Sequence, residues 1–377
     1  MSRGRVLLRD NITTYDPEKR GGSGTYVHNL SKGLARKNWE VDVLTPYAKD
    51  NSPPDYDNIE YITFKYPNPN SPFIRLIQAF KGGRMVKNII ESNDYDLVID
   101  NISHLPHIPL HFFARNTKTA VIIHNFRLSS SKDIDGRIKG TVVEWVDRTI
   151  PYLGKPHIIC AGPSTEMRIR DYHNYSRTSI LRPCVNTTHL QYNFSPESKT
   201  LLFLGRLVNV KNIPVLLKAW EIINKRHPDY QLVIAGKGRE RKKLESIVQS
   251  ENINNVVFPG FVKGNEKKSL LENSLAMIIP SYFEGYVTTG IEALAAGTIV
   301  IGSDTRGIND YIDDGVNGLL FPINDVNSLV EQLNKVINNP EEFRNVSERG
   351  YETAKNHTFE EFSKNADELV EEIIKCD

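Results

Sequence analysis

The sequence predicts an α/β protein made of two doubly wound, Rossmann-like domains that face each other across a cleft. Three observations predict it. Short apolar runs alternate with longer amphipathic stretches along the chain. Several of those runs, such as Ala276-Met-Ile-Ile279, are continuously apolar, as parallel strands covered on both faces must be. The alternation lapses once, over 182–199, where Pro183, Asn186, Thr187, Thr188, Asn193, Ser195 and Pro196 make a polar connection, and then restarts. At 377 residues the chain has room for two to three domains of ~150 residues.

Taken in order, the first half shows strands at 5–8, 41–45, 61–64, 96–100, 119–123, 157–160 and 179–181. Helices fall between them at 24–37, 74–90 and 138–150. The first places Val27, Leu30, Leu34 and Ala35 on one face. After the lapse, strands are expected at 200–204, 231–235, 256–258, 275–279, 298–302 and 318–321. Helices are expected at 213–225, 239–250, 266–272, 288–296 and 326–336, with a pair of acidic helices at the end. The domains are read as 1–185, a linker at 186–199, 200–357, and a last segment 358–377. In open parallel sheets, ligands bind at the carboxyl ends of the strands.

Composition removes several functions. Net charge is +1, with 47 basic and 46 acidic residues, so nothing points to nucleic acid. Residues 1–199 carry +7 and 200–377 carry −6. The basic first half, with Lys81, Arg84, Lys87, Lys132, Arg137 and Lys139, suits peripheral contact with an anionic membrane surface. Three scattered cysteines without a C-x-x-C argue against a disulfide scaffold or a zinc site. The first nine residues lack the apolar core of a signal peptide, and no apolar run is long enough to span a membrane. The expectation is a cytoplasmic protein, peripheral at most on the inner face of the membrane.

Three segments carry chemistry. Arg20-Gly21-Gly22-Ser23-Gly24 lies between the first strand and the first helix, where glycines let backbone approach an anionic or sugar ligand. It is not G-x-G-x-x-G, because Val27 stands where the third glycine belongs. Gly205-Arg206-Leu-Val-Asn-Val-Lys211 follows an apolar strand and sets two cations where a diphosphate would be held. Glu284-Gly285-Tyr-Val287-Thr288-Thr-Gly-Ile-Glu292 spans a strand-to-helix turn. The start of that helix can hold phosphate oxygens, and two carboxylates eight apart can accept hydrogen bonds from sugar hydroxyls. Three Asp-x-Asp triplets, starting at Asp55, Asp94 and Asp133, lie in a Pro-rich polar loop, on the approach to a strand and before a helical stretch, so no metal site is expected.

These residues carry a resemblance. The second half resembles the donor-binding domain of a family 4 glycosyltransferase (glycosyl transferases group 1) of the GT-B fold. The matching elements are Gly205-Arg206…Lys211, Ala235-Gly236…Gly238, Phe258-Pro-Gly260-Phe-Val262 and the segment from Glu284 to Glu292. Gly297-Thr-Ile-Val-Ile-Gly-Ser303, Gly307 and Asp314-Gly315-Val-Asn-Gly318 continue it. The first half is similar through Gly21-Gly22, the helix ending Leu34-Ala-Arg-Lys-Asn-Trp-Glu-Val41, and His124.

The resemblance implies a retaining, metal-independent transferase without a cofactor, using a UDP-, GDP- or ADP-sugar and a glycan or lipid-linked acceptor. It implies that Arg206 and Lys211 hold the diphosphate, with the Gly21-Gly22 loop near it. Glu284 would bind the donor sugar and Glu292 the ribose. Backbone near Val262 would meet the base, and His124 would sit near the transferred sugar. Gly205, Gly285, Val287 and Thr288 complete the implied donor site, and the final helix would pack back on the first domain. Two positions depart from the family. Asn38-Trp39 stands for Gly-His, and Val287-Thr288 stands for Gly-Leu, which places a Cβ where close backbone approach is expected. A nucleotide-sugar epimerase or hydrolase of the same build stays open as an alternative, as does a non-catalytic binding protein.

Overall fold

Strands form where the apolar runs lie, and in both halves they are parallel. The computed structural model describes residues 2–10, 22–47, 56–65, 87–101, 117–126, 128, 137–152 and 154–376. The chain divides into two compact units, Met1–Cys184 with Phe359–Asp377, and Val185–Thr358.

The first unit contains β1 (Arg5–Arg9), β2 (Glu40–Tyr47), β3 (Ile59–Lys65), β4 (Leu97–Asn101), β5 (Lys118–Ile123), β6 (His157–Cys160) and β7 (Thr178–Ile180). They pair in the order β3-β2-β1-β4-β5-β6-β7, all parallel. Its helices include α1 (Gly22–Arg36), α2 (Arg137–Thr149) and α3 (Pro163–His173). Alternate residues of β1 enter different clusters, Val6 and Leu8 on one face and Leu7 on the other. A sheet buried on both faces requires this.

The second unit contains β8 (Thr200–Leu204), β9 (Gln231–Ala235), β10 (Val256–Gly260), β11 (Ala276–Ile279), β12 (Ile299–Ser303) and β13 (Leu319–Phe321). Their order is β10-β9-β8-β11-β12-β13, again parallel. The helices are α4 (Ile213–Arg226), α5 (Arg241–Ser250), α6 (Gly264–Glu272), α7 (Thr288–Ala296), α8 (Val326–Asn338) and α9 (Arg344–Lys355). Leu201 and Phe203 pack into one core, Leu202 and Leu204 into the other.

The last helix, α10 (Phe359–Lys375), completes the first unit. Phe362, Ala366, Leu369 and Ile373 share a cluster with Leu30 and Leu34 of α1. The two helices come close at Gly33, where a Cβ would lie 3.3 Å from Ser363 Cα. Asn38 takes the left-handed conformation (φ 67°) that a glycine would otherwise supply there. Trp39 is buried, and its Nε1 donates to Asp367 Oδ1 at 2.8 Å. The Asn-Trp departure is therefore answered by α10.

Two features differ from the sequence reading. Helix α3 carries little apolar periodicity, and its buried face is Thr165, Ile169 and His173. Residues 186–199 are not a free linker. Phe194 enters the core of the second unit, and Asn193 N–H donates to the Ala296 carbonyl at 2.8 Å. Of the triplet aspartates, Asp55, Asp133 and Asp135 lie outside the described residues. So do Lys81, Arg84 and Lys132. Asp96 accepts from the Arg5 N–H at 2.8 Å, a structural task.

Candidate active site

The strand order of the second sheet reverses between β8 and β11, and open parallel sheets bind ligands at that switch point. The loops that leave those two strands carry Gly205–Lys211 and Ser281–Val287.

The loop after β8 ends in a 3-10 turn, Asn209–Lys211, closed by Asn212 in a left-handed conformation (φ 50°). Ile213 then starts α4, with Pro214 in its first turn. This turn delivers Lys211 to Glu284, Nζ to Oε1 at 2.6 Å, with both side chains largely buried. Arg206, in the same loop, is exposed. The loop's backbone is tied to its neighbour after β9. Gly205 N–H donates to the Ala235 carbonyl at 3.0 Å, and Leu207 N–H to the Lys237 carbonyl at 2.8 Å. A Cβ on Gly236 (φ +150°) would overlap the Gly205 carbonyl oxygen, and one on Gly238 the Leu207 carbonyl oxygen. Only glycine fits either place.

The loop after β11 is held from β12. Ser303 Oγ donates to the Ser281 carbonyl at 2.5 Å, and Thr305 Oγ1 to the Tyr282 carbonyl at 3.1 Å. Tyr282 N–H donates to the Val210 carbonyl at 2.9 Å, which joins the two loops. Gly307 (φ +80°) lies against the turn, where a Cβ would stand 2.6 Å from the Glu284 carbonyl oxygen. Helix α7 begins without a side-chain cap. The first N–H groups of a helix have no intrahelical acceptor and attract anions. Val287 resolves the other departure from the family, since its side chain turns into the apolar core and is 4% exposed.

Glu292 sits in the second turn of α7. Lys267 of α6 reaches it, Nζ lying 2.7 Å from Oε1 and 2.6 Å from Oε2. Val262, between β10 and α6, is buried. Sequence reasoning missed Lys267. It sits in the charged run Glu266-Lys267-Lys268, which reads as solvent-facing, and its partner is twenty-five residues away.

The first unit holds the remaining candidates. Gly22 is the first residue of α1, and Gly21 lies outside the described residues. His124 follows β5, with its Nε2 2.9 Å from Asn101 Oδ1 at the end of β4. Tyr26 of α1 meets its ring edge-on at 5.0 Å. Desolvation lowers the imidazole's pKa to about 4, so it is neutral near pH 7. Arg9 and Asp100 form a buried two-point pair at the carboxyl ends of β1 and β4, Nε–Oδ1 2.9 Å and Nη2–Oδ2 2.6 Å. Among the described residues no group of three or more His, Cys, Asp or Glu is placed to hold a metal ion.

Known proteins place this arrangement in a class. Residues 186–353 match the family model "Glycosyl transferases group 1", and residues 20–189 match "Glycosyltransferase Family 4". An uncharacterized glycosyltransferase of Methanocaldococcus jannaschii is 26% identical over 357 residues, 94% of this chain and 95% of that protein. A Campylobacter jejuni α-1,4-N-acetyl-D-galactosaminyltransferase, named for a diNAcBac-PP-undecaprenol-linked acceptor, is 36% identical over 168 residues. That match covers 44% of this chain and 46% of that protein. The crystal structure of Anabaena Alr3699/HepE in complex with UDP-glucose superposes with a TM-score of 0.72 at 15% identity, over 98% of this chain and 100% of that one. The fold is GT-B and the protein is a glycosyltransferase enzyme. The chain belongs to glycosyltransferase family 4.

Proposed function

We propose that the chain moves a hexose-type sugar from a nucleoside-diphosphate sugar to a hydroxyl of a glycan or lipid-linked acceptor. Configuration is retained and no metal is required. The observation that carries this reading is the 2.6 Å pair of Lys211 and Glu284 across the switch point. It sets a cation suited to a diphosphate against a carboxylate suited to sugar hydroxyls.

Arg206 and Lys211 receive the diphosphate, with the N–H groups of Thr288 and Thr289 behind them. Glu284 accepts from a donor-sugar hydroxyl and Glu292 from the ribose. Gly205 and Gly285 let backbone come close, and backbone near Val262 meets the base. Neutral His124 serves the transferred sugar as a hydrogen-bonding group, and the Gly21-Gly22 segment serves the diphosphate. In the reaction the bond from the anomeric carbon to phosphate oxygen breaks, and a bond to the acceptor oxygen forms on the same face. The departing phosphate oxygen takes the acceptor's proton, and the cations stabilise the charge it gathers. No carboxylate base is needed.

The acceptor class draws on the Campylobacter relative's lipid-linked acceptor, and a uracil base on the UDP-glucose complex of the Anabaena neighbour. In peripheral contact with an anionic membrane surface, the exposed Trp145, Tyr152 and Tyr172 would be the side chains that enter the interface. Sedimentation with anionic vesicles, reversed by salt, is the expected result, and its absence removes this part.

The main test follows nucleoside diphosphate release from UDP-, GDP- and ADP-sugars with and without acceptor. A transferase releases it in proportion to glycosylated product, and chelator leaves the rate unchanged. A returned isomeric nucleotide-sugar, or release indifferent to acceptor, would establish the epimerase or hydrolase instead. Arg206→Ala and Lys211→Ala are each expected to cut turnover ~10²–10³-fold, with melting close to wild type. Wild-type turnover in either would refute the assignment.

A further inference from the structure

Two Lys–Glu pairs in the second unit join different elements and leave neither side chain more than a quarter exposed. They are Lys211–Glu284, at 14% and 12%, and Lys267–Glu292, at 24% and 13%. A pair withdrawn from water in this way adds little net stability. The helix-surface pairs elsewhere, such as Lys225–Glu221, are far more open. The first pair belongs to the diphosphate and sugar positions already described. In the second, Glu292 stands in a motif of the donor site and Lys267 stands in none.

Its geometry is specific. The Lys267 ammonium contacts both oxygens of Glu292, at 2.7 and 2.6 Å. A carboxylate offers about four lone-pair directions, two on each oxygen. The ammonium donates to Oε1 and lies close to Oε2, yet Oε2 is buried without a hydrogen bond of its own. That leaves one acceptor on Oε1 and an unsatisfied Oε2 beside it, on a carboxylate the lysine holds in place. Two neighbouring hydroxyls on one ring, the 2′ and 3′ hydroxyls of a ribose, present the complementary pair of donors. The lysine stem rises from α6, which begins two residues after Val262, so one segment would carry both the base contact and the carboxylate's anchor.

We propose that Lys267 is a positioning residue of the donor site. It holds the Glu292 carboxylate in the plane that receives both ribose hydroxyls, and so sets the chain's preference for ribonucleotides over nucleotides lacking them. This rests on the reading that Glu292 receives the ribose.

The test uses the full chain and whichever of UDP, GDP and ADP raises its melting temperature most, together with the 2′,3′-dideoxy form of that nucleotide. Calorimetric titration gives the ratio of the two dissociation constants. Wild type is expected to favour the ribonucleotide ~10–100-fold, the worth of two charge-assisted hydrogen bonds. Lys267→Met is expected to weaken ribonucleotide binding until the ratio is under ~3-fold, while binding of the dideoxy form changes less than ~2-fold. Lys267→Arg, whose fork also spans a carboxylate, is expected to keep most of the preference. Lys267→Gln is the second variant should the methionine chain fail to fold, and it is expected to fall between. Equal weakening of both nucleotides by Lys267→Met would overturn the proposal, since that marks a general attraction between a cation and a polyanion. An intact ratio in Lys267→Met beside a lost one in Glu292→Gln would also overturn it, and would leave the ribose reading standing. An intact ratio in Glu292→Gln would overturn the ribose reading itself.

Discussion

The two sheets share one strand order around their switch points, yet they use charge there differently. In the first unit Arg9 and Asp100 belong to the strands themselves and are 5% and 1% exposed. In the second unit Lys211 and Glu284 lie beyond the strands, one in a 3-10 turn and the other in a loop, and are 14% and 12% exposed. A charge inside the ladder is committed to the fold, because losing its partner strands it in the interior. A charge one loop further out is held by its loop and not by the ladder. On the proposed function, distance past the strand end, more than residue type, would separate a structural ion pair from a binding one.

The sharpest way to break the contrast is to cut the chain before Thr358. That removes Phe362, Leu369, Val370 and Ile373 from the first core, on the order of 1.5–3 kcal/mol each. Limited proteolysis is expected to digest the first unit and leave residues 185–357 protected. Next comes Asp100→Ala, which removes the carboxylate from the buried two-point pair with Arg9. It is expected to cost about 3–5 kcal/mol in denaturant unfolding. Lys211→Ala, by contrast, is expected to lose turnover with little loss of stability.

A third effect belongs to the first unit alone. Burial holds both His124 and His157 to a pKa of about 4. An unfolded histidine titrates near 6.5, so between those values the unfolded chain binds more protons. Stability is therefore full above about pH 6.5 and falls toward pH 4, by on the order of 1–3 kcal/mol per group. His157→Gln is expected to flatten the melting-temperature profile in that window. The smallest effect lies beneath the proposed site. The Tyr311 hydroxyl is buried without a hydrogen-bond partner against Gly290. Tyr311→Phe is expected to shift stability by less than about 0.5 kcal/mol, or to raise it slightly.

Much of the fold was legible because its strands are buried on both faces. Runs such as Leu201–Leu204 and Ala276–Ile279 have no polar face to confuse the reading. Helix α3 was not legible, because Thr165 and His173 fill two of its three buried places. The polar stretch 186–199 misled for the opposite reason. Its one large apolar anchor, Phe194, sits among turn-forming residues. At the site, Arg206, Lys211, Glu284 and Glu292 stand in motifs with fixed spacing beside glycines that only close backbone approach explains. Lys267 and Asn101 stand in none. Each finds its partner on a different element brought beside it by the fold, and local sequence carries no trace of that.

The place of α10 also orders the birth of the molecule. Residues 185–358 are contiguous and hold both of their own cores, so they can finish folding as soon as they leave the ribosome. The first unit, though made earlier, waits with Leu30 and Leu34 uncovered until residue 373 emerges. During synthesis the older half is the unfinished one, and there a chaperone would find its grip.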